Sequence, residues 1–170
     1  AYDPTMTILL KTIHGSHLYN LSHPDSDEDW YIVVSGKGRN LNRQTIVDGV
    51  DTNVVCFDSF MILCTKGVPQ ALEALYSRRA EVDEISYIRD SFYATGGSEV
   101  RNTYRRTFTN FWARGDFKRK RHALRLVLNF AELSEKGRFN PSLNPSEVAK
   151  INKYALLEDG LERLRYECQV

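Results

Sequence analysis

The chain has 170 residues, 42% of them apolar and 26% charged, with a net charge of +1. That length holds one compact domain, or one with a helical extension, and the apolar fraction is enough for a real core. The balanced charge names no partner, no apolar run is long enough to cross a bilayer, and no basic-then-apolar signal opens the sequence, so membrane-spanning and signal-directed classes fall outside the expectation.

The three cysteines, Cys56, Cys64 and Cys168, have no zinc-type spacing and cannot all pair. Cys56 and Cys64 sit among apolar neighbours and read as small core residues. The expected compartment is reducing and cytoplasmic.

Thr5 to Ile13 is rich in β-branched and apolar residues and predicts a strand that ends at Gly15. Ser16 to Leu21 predicts a short helical turn, and Pro24-Asp25 breaks the loop that follows. Trp30 to Val34 predicts a strand, ended by Gly36-Lys37-Gly38. Residues 39–50 are polar and predict no definite element. Val50 to Phe57 alternates in part and predicts a strand. Phe60 to Cys64 and Pro69 to Tyr76 have helical spacing, with Gly67 between them. Glu84 to Ile88 reads as a short strand or the start of a helix.

After Gly96-Gly97 the composition changes. Ser98-Glu99 is placed to cap a long helix over Val100 to Trp112. Lys118 to Lys136 predicts the strongest helix, ended by Gly137. Pro141 and Pro145 mark a loop, and Ser146 can cap a last helix from Glu147 to Leu157 or beyond. The outline is α+β over residues 1–97 and helical over 98–170.

The chemistry concentrates between Gly15 and Val34. Gly15-Ser16 can set backbone N–H groups and a hydroxyl against a phosphate. Asp27 and Asp29 follow, two residues apart on an extended segment, so both are expected on one side of a sheet. Paired carboxylates beside a phosphate cradle suit a divalent cation on a nucleoside triphosphate. Asp25 and Glu28 fall out of phase and read as solvated. His14, His17 and His23 span the turn without a cysteine nearby, a poor zinc spacing. Without a Walker-type Gly-x-x-x-x-Gly-Lys, a P-loop kinase is disfavoured.

Gly-Ser, about ten residues, then Asp-x-Asp resembles the signature of the DNA polymerase β-like nucleotidyltransferase superfamily. The order of Asp51-Thr52-Asn53-Val54-Val55, Lys66-Gly67-Val68-Pro69, Leu72-Glu73-Ala74-Leu75, Lys118-x-x-x-His122 and Gly137-Arg138-Phe139 extends the likeness to a small stand-alone branch associated with RNA repair. The resemblance implies a small mixed β-sheet with flanking helices, then a helical region covering a cleft for nucleotide and acceptor. It implies a third carboxylate at Asp51, although Asp48 and Asp58 are close by, and two Mg²⁺ or Mn²⁺ ions held by Asp27, Asp29 and Asp51.

Lys118, His122, Arg125 and Asn129 form one polar stripe at helical spacing, which by itself reads as a solvated face. The resemblance turns that stripe toward the cleft, with Lys118 and Arg125 on phosphates and His122 on triphosphate or sugar. Tyr19 is expected to pack beneath the loop, and Glu73 to structure its own helix. Arg105, Arg106, Arg114, Arg119, Lys120 and Arg121 interleave with Tyr104, Phe108, Phe111, Trp112 and Phe117. Basic and aromatic residues together can track a polynucleotide. The expected activity is transfer of a nucleoside monophosphate from an NTP, ATP or another, to a hydroxyl of RNA, tRNA, protein or a small molecule. A nucleotide or RNA sensor without turnover, and a toxin-like enzyme modifying tRNA or protein, are the alternatives.

Overall fold

The computed structural model describes residues 6–36, 42–47, 50–94 and 97–170. Five strands, β1 (Ile8–His14), β2 (Asp29–Val34), β3 (Asn42–Val47), β4 (Val50–Cys56) and β5 (Ala80–Asp83), form one sheet in the order β3-β4-β2-β1-β5. Only β2 and β4 run parallel; the other neighbours are antiparallel. The fold is therefore α+β with a mixed sheet, as expected.

Alternation along the strands sorts the side chains. Leu10, Tyr31, Val33 and Val55 belong to the main core beneath the helices. Ile32, Val34 and Val54 point to the opposite face, where Met6 and Ile8 cover them. Both faces of β2 are thus apolar, which explains why it reads as an unbroken hydrophobic run.

The helices are α1 (Gly15–Tyr19), α2 (Phe57–Thr65), α3 (Pro69–Tyr76), α4 (Ser86–Ser91), α5 (Ser98–Ala113), α6 (Phe117–Lys136), α7 (Pro145–Tyr154) and α8 (Gly160–Cys168). Asp116 caps α6 by accepting the Arg119 N–H at 2.8 Å, and Gly137 ends it at φ 75° with its N–H on the Leu133 carbonyl. α7 starts two residues earlier than expected. Asn144 caps it in a reciprocal box with Glu147, so Ser146 lies inside the helix. Gly97 stands at the cap position of α5 and makes no side-chain bond, so Ser98 is the first helical residue rather than the cap.

One further expectation changes. Asn42–Val47, within the stretch without a definite element, is an edge strand. Of the two readings open for Glu84 to Ile88, the structure has the start of a helix, α4, with β5 just before it. Gly38 and Asp48 lie outside the described residues. Cys56 and Cys64 are core residues, as expected.

One core runs through the whole chain. Tyr104, Phe108, Leu124, Phe130, Ile151 and Leu164 join Leu18, Phe60, Leu72 and Leu75 in a single cluster. The last strand ends at Asp83, and the helices beyond residue 97 share this core with the sheet. Among the described residues, no helix is long and apolar enough to cross a membrane.

Candidate active site

The strand register builds the site. His14 on β1 stands opposite Asp29 on β2, and Asp29 stands opposite Asp51 on β4. Paired residues share a face, so His14, Asp29 and Asp51 form a row on the helix-covered side of the sheet, at roughly the 4.8 Å spacing of neighbouring strands. Asp29 is half-buried and Asp51 exposed. Burial first, then the negative charges of Asp51 and Asp27, raise the Asp29 pKa above its ordinary value, while His14 and Lys118 oppose the shift. Three carboxylates therefore feel one another, although only two share the row.

Asp27 corrects an expectation. It precedes β2 in an exposed loop, so it does not alternate with Asp29 on a strand. It also lies outside the lining of the cavity described below. Asp58, the other weighed acid, sits exposed in the first turn of α2.

Gly15 is required beside Asp29. Its φ is +65°, and a Cβ there would stand 2.3 Å from Asp29 Oδ2. The glycine thus gives the carboxylate its space. Gly15→Ala is expected to displace Asp29 and strain the turn, lowering any activity of the site more than Ser16→Ala does. Turnover of the two variants measured side by side checks the order.

A cavity of about 400 Å³ opens over the carboxylate row. Gly15, Ser16, Asp29, Asp51, Lys118, His122 and Arg125 all line it. Three members of the polar stripe of α6, Lys118, His122 and Arg125, therefore face the cleft, while Asn129 is buried and does not line it. Trp30, Thr52, Asn53, Gln70, Phe111, Arg114 and Arg119 complete much of the wall. Of these, Asn53, Gln70 and Thr52 carry no sequence signal beyond ordinary polarity. Lys118 and Arg114 are exposed at the rim without an ion-pair partner among the described residues, whereas Arg119 pairs with Asp116 at 2.6 Å.

Beneath this rim lies a buried charged network. Glu73 on α3 is fully buried, and Arg125 Nη1 donates to its Oε2 at 2.7 Å. The Tyr19 hydroxyl donates to Glu73 Oε1. His14 Nε2 lies 3.4 Å from the same oxygen without an aligned hydrogen bond. The Arg125 guanidinium also lies 3.7 Å above the centre of the Tyr19 ring. Burial disfavours the Glu73 anion, but Arg125, His14 and Tyr19 outweigh it and hold the carboxyl at about 2.

This network corrects two readings. Glu73 ties α3 to α1 and α6 rather than serving its own helix. Arg125 is 5% exposed and already neutralised, so its guanidinium is the floor of the cavity, not a free fork for phosphate. Tyr19 does pack beneath the loop, as expected, and also helps hold the acid.

His122 is shaped by the same pair. Burial and the Arg125 charge push its pKa down to about 3. Its Nδ1 accepts from Arg125 Nε at 3.2 Å, which leaves the ring proton on Nε2. His122 is thus a neutral donor at physiological pH, not a cation for triphosphate. His17 and His23 are engaged locally, His17 Nε2 with the Ser26 carbonyl at 3.1 Å and His23 Nδ1 with the Asp25 N–H at 3.2 Å.

Among the described residues, no group of three or more His, Cys, Asp and Glu side chains forms a candidate metal cage. Mg²⁺ does not need one, because it commonly binds through one or two carboxylates together with substrate phosphates. The Asp29–Asp51 pair, with burial and then the Asp51 charge raising the Asp29 pKa, fits a hard divalent cation on that basis. Neither a protein-family model nor a curated protein matches the chain.

Proposed function

We propose that the chain is a metal-dependent nucleotidyltransferase that moves a nucleoside monophosphate from an NTP to a hydroxyl and releases pyrophosphate. The observation that carries the reading is the in-register pair Asp29 and Asp51, set beside Gly15 in a cavity rimmed by free cations.

Asp29 and Asp51 would hold Mg²⁺ or Mn²⁺, with Asp27 reaching in from its loop. Two such ions, when bound, would offset triphosphate charge and stabilise the attacking and leaving oxygens. The residues of the chain do the rest. Gly15 N–H and the Ser16 hydroxyl offer donors to the triphosphate tail. Lys118 and Arg114 supply rim charge for the phosphates that leave as pyrophosphate. The His122 Nε2–H can donate to a sugar or base oxygen. Asp51, the more exposed carboxylate, is placed to receive the proton of the incoming hydroxyl. The phosphate oxygen bond to the leaving pyrophosphate breaks as the acceptor oxygen bonds to the α-phosphorus.

The sequence resemblance to polymerase β-like enzymes supports the same chemistry. RNA or tRNA is the acceptor we favour, given the arginines of α5 and α6, and ATP a natural first donor to try. A cytoplasmic location belongs to the same proposal, in keeping with cysteine spacings that suggest no disulfide framework. A nucleotide sensor without turnover is the second reading, favoured by the position of Asp27 in an exposed loop outside the cavity lining.

Incubation with each α-labelled NTP, total RNA and total protein, with Mg²⁺ or Mn²⁺, tests the proposal. Label in RNA supports it with the favoured acceptor. Label in protein keeps the chemistry and changes the target. Bound nucleotide with no transfer favours the sensor.

Lys118→Ala is expected to raise the apparent NTP constant about tenfold or more, the scale of losing one charged hydrogen bond of roughly 1.5–3 kcal/mol. Stability should stay within about 0.5 kcal/mol, since Lys118 is exposed. Titration of NTP against the variant checks the first, and a denaturant melt checks the second.

A further inference from the structure

A second cavity, of about 170 Å³, shares no lining residue with the first. Arg101 and Arg105 of α5 and Arg165 of α8 surround it, with Phe108, Phe130 and Val170. The Arg101 guanidinium lies 5.6 Å over the Phe130 ring and that of Arg165 lies 5.2 Å over Phe108. Both rings are 1% exposed, so the guanidinium groups cap an apolar floor. Among the described residues no carboxylate side chain lines the cavity, and none of the three arginines makes an ion pair.

Their donors are largely unspent. Arg105 donates to Asn102 Oδ1 at 3.2 Å, and Arg165 donates to the Val170 carbonyl at 3.3 Å. Each guanidinium carries five N–H donors. Three cations held together repel one another, and the cation–π contacts beneath them only partly compensate. An anion with several oxygens completes such a site, and phosphate matches the planar donor fork.

The geometry points to a binding site for the phosphodiester backbone of a polynucleotide at Arg101, Arg105 and Arg165. A backbone fits better than a base, because both rings are already covered and offer no face for stacking. A polymer fits better than a single small anion, because the cationic surface continues along α5 through Arg106, an exposed neighbour of Arg105. The site deepens the proposed function, on whose polynucleotide acceptor it rests, by giving the acceptor a hold outside the catalytic cavity. Contact through phosphates alone implies binding with little sequence preference.

The test is binding of a fluorescent single-stranded RNA 20-mer without NTP, across a salt titration, to the wild-type chain and to Arg101→Gln/Arg105→Gln/Arg165→Gln. The triple variant is expected to lose tenfold or more in affinity. Its slope of log affinity against log salt should fall by about 2, at roughly 0.7 per phosphate lost from a single strand. Arg101→Gln/Arg105→Gln, at two exposed positions, keeps the test valid if the triple variant folds poorly. It should show about two-thirds of that slope change. Lys153→Gln, on α7, is the control and should bind as wild type. Unchanged RNA affinity and slope in a folded double variant overturn the site. Direct binding of inorganic phosphate or ATP at millimolar levels, lost in the same variants, with no RNA binding by the wild type, overturns the polynucleotide assignment. RNA binding that depends on these arginines without any nucleotidyl transfer would sustain this site and remove the proposed activity; transfer to RNA untouched by the variants would do the reverse.

Discussion

Asp29→Ala is expected to abolish nucleotidyl transfer while the protein stays folded. Asp29 is the central member of the carboxylate row, between His14 and Asp51, and its side chain fills the space that Gly15 leaves open. Removing one well-placed electrostatic stabiliser commonly costs about 10²–10³-fold in turnover, and loss of a shared metal ligand should cost at least that. Folding should not suffer. The carboxylate is half-buried, and burial first, then the charges of Asp51 and Asp27, raise its pKa. Its loss removes a partly desolvated charge that stands near two like charges. Asp51→Ala should behave similarly. Asp27→Ala should be milder, because Asp27 is exposed and outside the cavity lining. Rates measured beside thermal melts check the pattern. Near-normal turnover in Asp29→Ala/Asp51→Ala would remove the catalytic assignment.

Glu73→Gln is expected to have the largest effect on stability. It leaves the Arg125 charge buried without its 2.7 Å partner. Breaking a buried pair by removing one member costs about 3–5 kcal/mol, which for a chain of this size lowers Tm by about 10 °C. Replacing both partners, as in Glu73→Leu/Arg125→Met, should recover much of the loss, since neither charge is then stranded.

The same pair has a pH signature. The Glu73 carboxyl lies at about 2 in the fold against an ordinary 4.5. A carboxylate depressed on folding stabilises fully above its unfolded value. Its contribution is lost as pH falls from about 4.5 toward about 2. Denaturant melts through that window should show the wild type losing stability faster than the double variant. Equal acid sensitivity of the two would contradict the ion pair.

The sequence and the structure agree best where short-range pattern sufficed. Asp29 is legible because it stands just before an apolar run that reads as a strand, whereas Asp51 comes through the family resemblance, and the register that sets the two side by side is a property of the sheet. Gly15 is legible as a turn, but its deeper reason, space for the Asp29 carboxylate, depends on a contact 14 residues away in sequence. The stripe Lys118, His122, Arg125 and Asn129 is legible as a face, not as a buried one. Arg125 and Asn129 are 5% and 2% exposed, against the usual fate of such residues.

What stayed hidden was long-range compensation. Nothing local to Glu73 marks it as buried, because its partners Tyr19 and Arg125 lie 54 and 52 residues away. Asn42–Val47 carries Asn, Arg and Gln as an edge strand must tolerate, so its composition resembles a loop. The α7 cap went to Asn144 over Ser146 because only Asn144 has an acid three residues on. Asp27 was over-read, since two-residue spacing places side chains on one face only where the backbone is already a strand.

Pyrophosphate release tests the central claim most directly. The wild-type chain would be mixed with each of ATP, CTP, GTP and UTP, in Mg²⁺ or Mn²⁺, with RNA and with a total protein fraction as acceptors. The account predicts release with at least one nucleotide, dependent on divalent cation and lost in Asp29→Ala. Nucleotide bound in the cavity with no pyrophosphate formed under any of these conditions would contradict it.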